Sequence, residues 1–183
     1  MQKINYFELL EEISILCTRA VFLATGNSRS VLQKSILECQ TLQEQSLQKI
    51  CAIEDFLFTD FLPPLERRSI AEAAHGMGKI IECSYQIIFQ KLQRSGYDKR
   101  VKEQETCLTL AKLLEESVIL LKKIKKPNQT PKTKEFREIL FAARKASKCT
   151  QKRQSPSALY MNELREELSD CFDKIIEIML CNI

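Results

Sequence analysis

The chain offers one histidine, eight cysteines and twenty-four carboxylates with which to do chemistry. A hydrolytic triad needs a nucleophile, a base and a group that orients the base. Only His75 could be an imidazole base, and no Gly-x-Ser-x-Gly elbow accompanies it. It therefore reads as a helix-surface or packing residue. A glycine-rich phosphate loop, a dinucleotide fingerprint and a His-Glu-x-x-His helix are all missing from the sequence. Cys17, Cys39, Cys51, Cys83, Cys107, Cys149, Cys171 and Cys181 are scattered without a Cys-x-x-Cys pair. That spacing suits reduced, packed thiols better than a disulfide framework or a zinc site. On these grounds no residue is assigned a catalytic role.

Two further features stand out. Gly76 and Gly78 lie two positions apart within a helical pattern, where each costs roughly 1 kcal/mol relative to alanine. Something bulky must come close to them, and a neighbouring helix is a simpler explanation than a ligand. The second feature is charge. Between Lys122 and Arg153 there are twelve Lys or Arg against Glu135 and Glu138, a net of +10, and the rest of the chain carries −6. Lys122, Lys123, Lys125, Lys126, Lys132, Lys134, Arg144, Lys145, Lys148, Lys152 and Arg153 are the candidate residues for an anionic partner, with Arg137 among them in sequence. A solvated face and loop is the plainer reading of the same run. Phe136 and Phe141 are the aromatics interleaved with it, and the helical pattern expects both to be buried, which removes a stacking platform for single-stranded nucleic acid.

The elements that would position these residues are helical. A chain of 183 residues with 44% hydrophobic and 28% charged side chains suits one globular domain. Four glycines and five prolines leave little for β-turns. Apolar residues recur at spacings of three and four in six segments, near 3–25, 30–60, 64–95, 99–126, 132–149 and 156–181. The third segment is expected to open at Pro64 and the last at Pro156. The fold expected is all-α, a single antiparallel six-helix bundle. No apolar run long enough for a signal core or a membrane span is readable, which points to the cytoplasm, where the Asn128-Gln129-Thr130 sequon carries no sugar.

In this helix order the chain resembles the PhoU-like phosphate transport regulators, accessory partners of Pit-type inorganic phosphate transporters. The resemblance runs nearly the whole length. It rests on Phe7-Glu8-Leu9-Leu10-Glu11-Glu12, on the junction Phe61-Leu62-Pro63-Pro64-Leu65-Glu66-Arg67-Arg68-Ser69-Ile70, and on the final amphipathic helix. The family carries acidic motifs of the forms ExExxD and DDxxD that gather metal ions on the bundle face. Here the first falls on Gln43, Glu44, Gln45, Ser46, Leu47 and Gln48, and the second on Gly78, Lys79, Ile80, Ile81 and Glu82. A second-half repeat of the motif is replaced by Ala142-Ala143-Arg144-Lys145-Ala146-Ser147-Lys148. Hard cations need several oxygen ligands, and Glu44 and Glu82 beside Lys79 do not supply them. The expectation is therefore a scaffold without a metal or other cofactor.

The resemblance implies a non-enzymatic regulator or accessory protein of phosphate transport, working by protein contact at the cytoplasmic side, peripheral to the inner face of the membrane. Its partner would be a Pit-type transporter or another regulatory protein, and self-association or an anionic membrane surface stays open. Two alternatives come from different classes. A nucleic-acid-binding helical module would use the basic segment, although no recognition-helix motif supports it, and its affinity would fall steeply with salt. A metal-binding bundle would retain the family's ions despite the lost carboxylates. A mobility shift absent even at low salt disposes of the first.

Overall fold

The computed structural model describes residues 5–26, 29–59, 66–93, 101–124, 138–139, 141–142, 145 and 156–181. Five long helices run through them: α1 (Tyr6–Thr25), α2 (Arg29–Thr59), α3 (Arg67–Gln93), α4 (Val101–Ile124) and α5 (Pro156–Cys181). The described residues contain no strand. Of the segment expected as a helix over 132–149, Glu138, Ile139, Phe141, Ala142 and Lys145 are helical, and its other residues lie outside the described set. So do Pro63 and Pro64. Glu66 precedes α3, and its carbonyl accepts the Ile70 amide at 3.2 Å, so the described part of that helix begins at Arg67. Pro156 does open α5, where its missing amide leaves no hydrogen bond unmade.

α1, α3, α5 and α4 form a ring in which each packs on the next, and α4 closes back onto α1. α2 lies outside the ring along the edge made by α1 and α3. Cross-helix contacts give the directions. Glu12 meets Lys49 and Arg19 meets Glu38, so α2 runs against α1. Cys17 reaches Met77 and Ala24 reaches Lys91, so α3 runs with α1. Thr18 bonds to Ala111 while Glu11 pairs with Lys122, which reverses α4 against α1. Glu72 meets Lys174 and Ala73 meets Cys171, and α5 opposes α3. Successive described helices alternate in this up-and-down sense through α4, and the ring neighbours α1 and α3 end up parallel.

The apolar stripes read from sequence form one core. Phe7, Leu10, Ile13, Cys17, Ala20 and Leu23 of α1 are buried, as are Leu164, Leu168, Cys171, Ile175, Ile178 and Met179 of α5. On α4 the stripe is wider than its strongest periodicity: Cys107, Leu110, Leu113 and Leu120 are buried as well, and Leu108 only partly. α3 is packed by α1, α2 and α5. Its glycines explain how. Successive residues turn by about 100°, so positions 76 and 78 face nearly opposite sides of the helix. A Cβ on Gly76 would stand 3.2 Å from Cys171 Sγ of α5, and one on Gly78 only 2.9 Å from Ile50 Cδ1 of α2. Both glycines admit a neighbouring helix.

Four buried serines close their hydrogen bonds within their own helices. Ser14, Ser46, Ser84 and Ser117 each donate to a carbonyl three or four residues back, at 2.6 to 2.9 Å. Lys91 is different. It is 5% exposed, and its ammonium donates to the carbonyls of Ala24 at 2.5 Å and Gly26 at 3.0 Å. Those oxygens belong to the C-terminal end of α1, where carbonyls lack helical partners and the helix dipole is negative. Burial pushes Lys91 down to about 8, while these carbonyls favour the charged form.

Two predictions follow from this packing. Gly78→Ala should change stability by less than about 0.5 kcal/mol, since the helix-propensity gain of roughly 1 kcal/mol offsets moving one flexible methyl. Gly76→Val should cost about 1–3 kcal/mol, because it overpacks against Cys171. Urea denaturation midpoints separate the two, and a Gly76→Val chain as stable as wild type would contradict the close α3–α5 approach. For Lys91, the folded chain gives up its proton near pH 8 and the unfolded chain near 10.5. The unfolded state therefore binds more protons in that window, and the cost of the buried charge is relieved as pH rises. Relative to Lys91→Met, wild-type stability should climb between about pH 8 and 10.5.

Candidate functional site

The positions set against the acidic motifs in the sequence reading fall on α2 and α3. Gln43 is partly buried, Glu44 and Gln45 are exposed, and Leu47 points outward at 61% exposure. On α3, Gly78 is taken up by the approach of Ile50, while Lys79 and Glu82 are exposed. Glu44 and Glu82 are the carboxylates these positions offer, and Ser46 spends its hydroxyl on the Gln43 carbonyl. Among the described residues no three His, Cys, Asp or Glu side chains converge. The donor set does not fit a hard divalent ion, which takes six or more oxygens.

His75 is exposed, and its Nε2 lies 2.8 Å from Glu54 Oε1 across the α2–α3 interface. No neighbouring nucleophile bonds to it, so the pair ties two helices together. Other polar contacts have the same role. Arg19 pairs with Glu38 at 2.7 Å and stacks over the Phe22 ring at 5.7 Å. Lys49 pairs with Glu12. Glu72 is held by Arg68 at 2.7 Å and approached by Lys174 at 4.0 Å. The Arg68 hydrogen bond lowers the Glu72 carboxyl below its ordinary range.

The basic segment divides unevenly. Lys122, counted from sequence among residues for an anionic partner, donates to Glu11 Oε2 of α1 at 2.6 Å. Glu11 holds its ammonium above the ordinary lysine range. This lysine joins α4 to α1. Lys145 is exposed. The side chains of Lys123, Lys125, Lys126, Lys132, Lys134, Arg137, Arg144, Lys148, Lys152 and Arg153 lie outside the described residues. Phe141 corrects the sequence reading: it is 74% exposed rather than buried, because the helical residues around it turn Ile139 and Ala142 toward the core instead. Phe136 is outside the described set.

Sequence reasoning missed an open groove of about 430 Å³ where Glu138, Ile139 and Ala142 lie along α4. Leu113, Ile119 and Leu120 line its other side, and Glu116 and Glu138 contribute carboxylates to it. The signal was the surplus of apolar residues on α4 beyond one stripe. It also missed Lys91, for which only the chain's meeting of α1 and α3 ends could have spoken.

The buried thiols are chemically quiet. Cys17 donates to the Met77 carbonyl at 3.1 Å, and burial, with the nearby Cys171 thiol adding to it, raises its pKa well above the ordinary value. Burial likewise pushes Cys39, Cys107 and Cys171 up to about 12. All six described cysteines are free, and Cys51 is exposed.

A crystal structure of a PhoU-like protein from Shewanella oneidensis MR-1 matches this arrangement with a TM-score of 0.63, over 95% of each chain, at 10% sequence identity. The likeness establishes a PhoU-like helical fold. No family model matches the sequence, and no curated protein matches it either. No described helix is long and apolar enough to cross a membrane.

The cysteine environments yield a test. A thiol reagent followed by peptide mass spectrometry should label Cys51 in the native protein and leave Cys17, Cys39, Cys107 and Cys171 unmodified until denaturant is added. Because the buried thiols keep their protons to about pH 12 while unfolded thiols ionise near 9, they stabilise the fold below pH 9, and that contribution is lost as pH rises toward 12. Replacing Cys39 by alanine should flatten the alkaline fall in the urea midpoint.

Proposed function

We propose that this chain is a non-enzymatic regulator or accessory protein of inorganic phosphate transport, acting by protein contact at the cytoplasmic side of the membrane. The observation that carries this reading is the match to a PhoU-like structure over 95% of either chain. The chemistry of the surface supports it from the other direction. Its single histidine is tied to Glu54, its described buried thiols are protonated, and the motif positions hold amides, a lysine and a glycine beside only two carboxylates, Glu44 and Glu82. Contact with another macromolecule is what this surface offers. The partner is a Pit-type transporter or a regulatory protein, met through the basic segment that includes Lys145, Lys148, Lys152 and Arg153. Long-range attraction between that segment and acidic loops or lipid headgroups would speed and orient the encounter.

The decisive experiment is a pull-down with a Pit-type phosphate transporter from the same organism, together with phosphate uptake in a deletion strain. Association and altered uptake are expected. Lys145→Gln combined with Lys148→Gln, Lys152→Gln and Arg153→Gln should weaken capture about ten-fold at low ionic strength and less at high salt, as screening predicts. Absence of association with unchanged uptake would reject the proposal. Protein purified without chelator should carry less than about one metal ion per several chains, since a filled site needs multiple oxygen ligands.

A further inference from the structure

We draw no further inference here: the strongest candidate, the open apolar groove between α4 and Glu138, Ile139 and Ala142, carries nothing because nothing in the structure shows what covers it.

Discussion

The close approach of three helices to the backbone of α3 is the constraint on which the rest of this structure depends. Each neighbour reaches that backbone through a cysteine: Cys17 of α1 at the Met77 carbonyl, Cys39 of α2 at Ile81, and Cys171 of α5 at Ala73. The shortest of these, 3.1 Å from Cys17, is a real thiol hydrogen bond, and those at 3.8 and 3.9 Å are weaker contacts. Cysteine suits these positions because it is small, polarisable and only weakly polar. A larger side chain would push the helices apart, and a missing one would leave a void. Gly76, Ala73, Ala74 and Gly78 give the complementary concavity on α3. Two glycines inside a helix are unfavourable by propensity, at roughly 1 kcal/mol each. The packing they allow must exceed that cost.

Around this centre the charged groups set register more than stability. Most of the cross-helix ion pairs are at least partly exposed, and pairs of that kind contribute up to about 1 kcal/mol each. Together they fix how far each helix slides along the next. Lys91 is the exception, because its charge is buried at the end where α1 and α3 both terminate. That placement follows from the parallel arrangement of the two helices. An antiparallel pair would have brought Lys91 to the amide end of α1, where an ammonium is disfavoured.

The PhoU-like fold does not rest on the outward-facing polar positions of α2 and α3, which lie away from the packing that holds the helices. Gln43, Glu44, Gln45, Leu47, Lys79 and Glu82 are exposed or only partly buried. Their identities can drift at little cost to the core. Ser14, Ser46, Ser84 and Ser117 close their hydrogen bonds within their own helices, so these buried hydroxyls do not call for a ligand. Fold and surface chemistry are thus separable in this chain, which is why a likeness at 10% identity speaks to the first alone.

The helices themselves were legible from sequence. Spacings of three and four marked the buried faces of α1, α3 and α5 residue by residue, since burial of an apolar stripe is a local consequence of helical pitch. The two glycines announced a close contact, and composition announced a helical chain. Sequence also showed that the motif positions keep few carboxylates, Glu44 and Glu82. What it could not give was any property that depends on which helices meet. Phe141 looked buried because the periodicity of a weakly amphipathic segment does not say which of two faces packs. Lys122 looked available because Glu11 is 111 residues away. Lys91 looked like an ordinary last-turn lysine until α1 was placed beside it. Helical pitch is encoded within a few consecutive residues, whereas burial of a charge, pairing of an ion and the depth of a groove are decided by residues that only the folded chain brings together.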